Sequence, residues 1–233
     1  MKIALLGYGK MGKVIETIAL ERGHDIVLRK TSSNTFEGIA TADVAIDFSI
    51  PSVAVENITT CLEAGVPVVS GTTGWLDHYD AMVSLCKEHD GAFLYGSNFS
   101  LGVNLFFELN AYLAQMMAKF SSVYRVSMEE IHHTQKLDAP SGTAISLAKG
   151  IIANSAYDSW TLDQPQEHQI PIDAQRIENV PGTHSVFYNS PVDLIEIKHV
   201  AHNREGFALG SVLAAEWLVG KKGVYSMKDV LAL

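Results

Sequence analysis

Lys2-Ile3-Ala4-Leu5-Leu6-Gly7-Tyr8-Gly9-Lys10-Met11-Gly12 is a short apolar run ending in a G-x-G-x-x-G turn. Val14, Ile15, Ile18, Ala19 and Leu20 follow at helical spacing. Buried strand, glycine turn and helix, in that order, are what a dinucleotide-binding βα unit requires. Gly7 permits the tight turn, Gly9 lets the backbone approach a pyrophosphate, and Gly12 lets the helix pack close to the strand. The phosphates then meet the N–H groups that open the helix. The competing reading is a tight βα turn in an unrelated α/β domain. The flanks on both sides favour the nucleotide, so Gly7, Tyr8, Gly9, Lys10, Met11 and Gly12 form the expected phosphate cradle.

The chain outward from this unit repeats the pattern. A second strand, Asp25 to Leu28, ends where an acidic residue would accept from the ribose of NAD. Arg29 and Lys30 stand there instead, followed by Thr31, Ser32 and Ser33. Cations and hydroxyls suit a 2′-phosphate, so NADPH is favoured or at least tolerated alongside NADH; the alternative is a solvated basic pair at a strand end. Strands at Val44 to Pro51, Val66 to Ser70 and Ala92 to Tyr95 alternate with helices at Val53 to Ala64 and 76–90. Such βαβα order predicts a Rossmann-like, doubly wound parallel sheet, with ligands beyond the carboxyl ends of the strands. Phe48, then Gly71-Thr72-Thr73, then Gly96-Ser97-Asn98-Phe99 occupy those ends and are candidate cofactor-lining residues.

Near residue 101 the pattern changes to strands with few helices, which marks a second, smaller α+β domain with a mixed sheet. An apolar helix spans 104–120 and a strand runs from Val123 to Ile131. A helix starts near Ser141, a polar loop covers 154–168, and strands run over Ile170 to Val180 and Val192 to Ala201. Residues 181–186 are read as the connection between those two strands. Phe207 to Val219 is an apolar helix, and the tail after Lys221 is expected to return to the first domain. The expected boundaries are 1–102 completed by 203–233, and 103–202.

The whole chain has 233 residues, 47% of them hydrophobic and 18% charged, with a net charge of −9. That charge disfavours nucleic acid or an anionic membrane as main partner. No run of eighteen apolar residues exists for a membrane span, and the N-terminal run is too short for a signal peptide. Cys61 and Cys86 lie in apolar, helix-like surroundings without ligand spacing, which fits a reducing, cytoplasmic setting.

The densest polar stretch is Glu130-Ile-His132-His133-Thr-Gln-Lys136-Leu-Asp138-Ala-Pro140-Ser141-Gly142-Thr143-Ala144. A core has no use for so many polar groups, each costing about 1–3 kcal/mol when buried unpaired. Histidine donates or accepts protons near neutral pH, and a turn would bring Lys136 beside either ring. Ser141, Gly142 and Thr143 at a helix start would hold a carboxylate. Adjacent histidines on a strand face opposite ways, and His184, His199 and His202 are distant with no usual spacing, so no metal site is expected. For Asp138 a purely structural part in the helix entry is favoured.

The stretch E-x-H-H-x-x-K-x-D-A-P-S-G-T-A resembles the signature of the 4-hydroxy-tetrahydrodipicolinate reductase family. The resemblance extends to the glycine turn, D-F-S-x-P at 47–51, G-T-T-G at 71–74, S-N-F-S-x-G-V-N at 97–104, and Arg204, Phe207, Gly210 and Trp217-Leu218. It implies NAD(P)H-dependent reduction of the cyclic imine derived from 4-hydroxy-tetrahydrodipicolinate, in lysine biosynthesis through diaminopimelate. It assigns proton transfer to His132 and Lys136, and substrate carboxylates to His133, Lys136, Ser141, Gly142 and Thr143. The cofactor falls to residues 7–12, 71–73 and 96–99. It further implies a homotetramer assembled through the second domain's sheet, binding a small dicarboxylate. Rival readings are another amino-acid-pathway dehydrogenase, such as an aspartate or homoserine dehydrogenase, and a non-catalytic nicotinamide-sensing protein. The first would not be expected to carry the His-His-Lys stretch, and the second lacks a recognisable partner-binding module.

Overall fold

The structure is a computed structural model describing residues 1–203 and 205–233; Arg204, part of the resemblance, lies outside the described residues. The chain forms two compact units. One is Met1–Leu101 with Glu205–Leu233, and the other is the chain between them.

The first unit carries six parallel strands: β1 (Lys2–Leu6), β2 (Asp25–Lys30), β3 (Val44–Asp47), β4 (Val68–Ser70), β5 (Ala92–Tyr95) and β11 (Gly223–Tyr225), in the order β11-β5-β4-β3-β1-β2. Parallel strands joined by helices are covered on both faces, and their side chains alternate between two cores. Ile3, Leu5, Ile46, Val69 and Leu94 face α1 (Lys10–Glu21) and α6 (Glu205–Leu218). Ala4, Leu6, Ala45, Val68 and Phe93 face α2 (Pro51–Glu63) and α3 (Tyr79–Glu88). The free thiols of Cys61 and Cys86 are buried in that second core. The C-terminal return supplies β11 at the sheet edge and the short α7 (Met227–Leu231).

The second unit contains α4 (Leu101–Met117) from its second residue on, β6 (Arg125–His132), α5 (Gly142–Ile152), β7 (Ser159–Thr161), β8 (Gln169–Arg176), β9 (Gly182–Asn189) and β10 (Leu194–Ala201). Its mixed sheet has the order β10-β9-β6-β8-β7, with β6 parallel to β8 and antiparallel to β9. Helices α4 and α5 pack on one face through Phe106, Leu113, Leu147 and Ile151.

Several boundaries depart from the sequence reading. Residues 182–189, read in part as a connection, form β9 between β6 and β10. The polar stretch 154–168 contains strand β7. Strand β3 stops at Asp47, because Pro51 starts α2 at a position where its missing N–H costs nothing. Strand β2 runs on to Lys30, so Arg29 and Lys30 are strand residues.

Candidate active site

The glycine turn of the first unit is shaped by close approaches. Gly7 has φ +95°, and a Cβ there would collide with the backbone of Phe48 and Ser49. A Cβ on Gly12 would overlap the carbonyl oxygen of Gly7, so helix and turn touch where only hydrogen fits. A Cβ on Gly9 would meet nothing within 4 Å. Gly9 is also the N-cap of α1, and no side chain caps the first turn. A cavity of about 380 Å³ adjoins this end, lined by Gly7, Tyr8, Gly9, Lys30, Thr31 and Phe48 among others. These residues fit the pyrophosphate and adenosine half of a dinucleotide.

Lys30 sits on that cavity, its ammonium 4.9 Å from the Phe36 ring centroid and donating to the Thr31 carbonyl oxygen. Arg29 does not line it. Its guanidinium is held by Glu16, which also takes the Tyr8 hydroxyl. A second cavity of about 230 Å³ brings together Met11, Phe48, Gly71, Thr72 and Thr73. A Cβ on Gly71 would strike the Phe48 ring, which packs on Phe99 at 5.6 Å between centroids. Phe99 is buried, so it supports Phe48 from beneath. Lys10, Gly96, Ser97 and Asn98 line neither cavity. Beneath the strand ends the buried Asp47 accepts hydrogen bonds from Ser49, Asn57 and Ser70.

In the second unit, β6 alternates between a more accessible face, half-buried after Arg125, and a buried one that reads Val126, Met128, Glu130, His132. The first two belong to the apolar core; the last two turn its end polar. Register completes the cluster. Across the antiparallel pair Met128 stands opposite Val186 and Glu130 opposite His184, while His132 pairs with Arg176 on the parallel side. The His132 and His184 rings meet edge to face at 5.0 Å, so His184 is not remote from the motif, as its place in the sequence suggested. The signal for it was the i, i+2, i+4 spacing of His184, Val186 and Tyr188, which continues the buried face of β9.

Glu130 is fully buried and accepts from Arg176 Nη2 at 3.1 Å and from the Ser141 amide at 2.9 Å. Burial pushes its carboxyl upward, but hydrogen bonds from Ser141, the His132 charge and Arg176 outweigh this and leave it below the ordinary value. Burial lowers His132, against the pull of Glu130. Burial and then His132 bring His184 down to about 4.

Ser141 is buried and caps α5, its hydroxyl accepting from the Ala144 amide at 3.2 Å and lying 3.0 Å from His184 Nε2. The expected carboxylate site at this helix start is therefore partly filled by the protein's own Glu130. Gly142 is exposed and Thr143 half-buried, which leaves their side of the helix start accessible. His133 lies beyond the end of β6 and lines a cavity of about 310 Å³ with Thr134, Gln135 and residues 178–181. Lys136 is paired with the exposed Asp138 at 2.9 Å. Arg176, absent from the sequence reading, donates to the backbone carbonyls of Lys136 and Asp138 and so ties this loop to β8. Glu130, His132 and His184 bring potential ligand atoms within 4.8 Å of one another. Arg176 and the Ser141 amide already occupy the two oxygens of that carboxylate.

A parallel sheet with a glycine cradle, and a second unit bearing a buried histidine–carboxylate cluster and a lysine loop, are the architecture of an oxidoreductase. A family model described as "Dihydrodipicolinate reductase, N-terminus" matches residues 1–99, and one described as "Dihydrodipicolinate reductase, C-terminus" matches residues 102–231. The chain belongs to the dihydrodipicolinate reductase family, whose members are 4-hydroxy-tetrahydrodipicolinate reductases, NAD(P)H-using enzymes of lysine biosynthesis through diaminopimelate. A 4-hydroxy-tetrahydrodipicolinate reductase from Christiangramia forsetii is 56% identical over 239 residues, spanning 100% of this chain and 98% of its own length. One from Methanosarcina barkeri is 34% identical, spanning 97% and 83%. The fold is shared with a dipicolinate-bound dihydrodipicolinate reductase from Paenisporosarcina sp. TG-14, at a TM-score of 0.77 over 98% of both chains and 22% identity.

Proposed function

We propose that this chain uses NADPH or NADH to reduce the cyclic imine derived from 4-hydroxy-tetrahydrodipicolinate, with His132 as proton donor and Lys136 as second proton donor. The observation that carries this reading is His132 at the polar end of the β6 core face, buried beside an ionised carboxylate and close in sequence to Lys136. The bound cofactor supplies a hydride. The residues must then deliver a proton to the atom that gains electron density, which is general-acid work. Lys136 holds a carboxylate in the free protein, that of Asp138, and a substrate carboxylate takes its place. His133 and the accessible Gly142 and Thr143 amides bind the remaining carboxylate oxygens. Ser141 contributes by shaping the helix start rather than by direct contact.

In the first unit the residue 7–12 cradle takes the pyrophosphate, and Phe48 with residues 71–73 takes the nicotinamide half. Residues 96–99 support that half from behind. Lys30, Thr31 and Ser32 accept a 2′-phosphate, so both coenzymes serve. The resemblance further implies a cytoplasmic homotetramer joined through the second unit's sheet. Exposed Val192, Leu194 and Val200 on and beside edge strand β10 support that assembly, and a monomer mass by light scattering would remove it. Among the described residues no helix is long and apolar enough to cross a membrane.

The test generates the substrate in situ from pyruvate and aspartate semialdehyde with the preceding synthase, and follows NADH and NADPH absorbance separately. Oxidation of at least one is expected; oxidation of neither defeats the assignment. In the same assay His132→Gln should lower kcat by about 10²–10⁴-fold with a small effect on KM. The reverse pattern would make His132 a binding residue.

A further inference from the structure

Proton transfer and carboxylate binding give Glu130 no task, yet it is the most completely buried polar residue of the motif. A buried charge persists only when paired and hydrogen-bonded. Here the pairing is specific: Arg176 holds one oxygen and the Ser141 amide the other, so the carboxylate cannot turn. The oxygen held by Ser141 also faces His132 Nδ1 and His184 Nε2, each at 3.8 Å. His132 Nδ1 is buried and has no hydrogen-bond partner among the described residues. An unprotonated Nδ1 would set its lone pair against a carboxylate oxygen, whereas an Nδ1–H is attracted to it. The other nitrogen is differently placed. A Cβ on Gly182 would stand 3.3 Å from His132 Nε2 and 3.4 Å from Cδ2, so glycine at 182 leaves the Nε2 edge open.

We propose that Glu130 is the positioning residue for His132: its fixed carboxylate holds the ring as the Nδ1–H tautomer and leaves Nε2 to exchange protons. The charged groups around the ring are distributed accordingly. Glu130 and, more weakly, Asp138 favour the imidazolium, while Lys136 and Arg176 oppose it. His184, neutral at pH 7 with His199 beyond it, adds no charge. Removing the Glu130 charge leaves burial, Lys136 and Arg176 unopposed. The inference rests on the proposed role of His132 as proton donor, and its test separates the two.

The ring nitrogens of the full chain, labelled with ¹⁵N, are titrated by NMR in the wild type and in Glu130→Gln, beside kcat and KM profiles against pH. The wild-type ring should be the Nδ1–H tautomer. In Glu130→Gln the His132 midpoint should fall by about 1–3 pH units, the range expected for loss of an adjacent opposite charge. The pH above which kcat declines should fall with it while KM moves by less than about threefold. Glu130→Asp, which keeps the charge on a shorter stem, should recover part of both shifts. An Nε2–H tautomer in the wild type, or an unmoved midpoint in Glu130→Gln, overturns the proposal. If Glu130→Gln does not fold, the wild-type tautomer alone decides. A midpoint that falls while the kcat limb stays put supports the positioning by Glu130 and defeats the proton-donor role of His132.

Discussion

Glu16 shows how one side chain bears on coenzyme choice without touching a coenzyme. It lies on the second turn of α1, and its two oxygens are divided between Tyr8 and Arg29. The Arg29 hydrogen bond and then that of Tyr8 hold its carboxyl below the usual range. Arg29, which its place in the sequence suggested would meet a 2′-phosphate, is thereby paired within the protein. Glu16→Gln should release Arg29 and tighten NADPH by about two- to fivefold, as befits a partly exposed pair, with NADH nearly unchanged. Fluorescence titration of both coenzymes checks this. Equal effects on the two would show that Arg29 does not approach the ribose.

Among elements, α6 presses on the strand ends more closely than any sequence pattern announces. A Cβ on Gly210 would overlap the carbonyl oxygen of Phe99, and backbone on both sides leaves nothing to yield. Gly210→Ala should therefore push α6 off residues 96–99, costing about 1–3 kcal/mol as overpacking does. Chemical denaturation of the first unit would show the loss, and a weaker affinity for NADH would show that Phe99 and Phe48 had shifted. Unchanged coenzyme affinity would mean the helix moves and the strand ends do not. This unit was legible because its signals are local: a strand, a glycine turn and a helix lie within twenty residues, and the pattern repeats. β9 was not, since Thr183, His184 and Ser185 read as turn residues and follow Pro181-Gly182. They are buried because β6 and β10 flank them, and that pairing is non-local. For the same reason His184 was set aside as distant and Arg176 escaped notice, while His132 and Lys136, sharing one short stretch with a helix start, did not.

At the scale of the whole molecule the second unit should be acid-sensitive. Its histidines are held low: the buried His184 at about 4 by burial and then by His132, with the buried His132 and the half-buried His199 lowered mainly by desolvation. A histidine whose folded value lies below its unfolded value of 6.5 binds fewer protons folded than unfolded between the two. Stability therefore rises with pH through that window, is complete above about 6.5, and drains away as pH falls toward 4. For His184 alone the full span is of order 3 kcal/mol. The Glu130 carboxyl, held below its ordinary value, acts in the same sense at the acid end of that range. Calorimetry between pH 7.5 and 4.5 should show the transition of the second unit falling by several degrees. In His184→Gln, where the amide still meets the Ser141 hydroxyl without a proton to gain, the fall should be visibly shallower. Parallel curves for the two proteins would mean that His184 titrates alike folded and unfolded, and that its burial against Glu130 and His132 is relieved before it protonates.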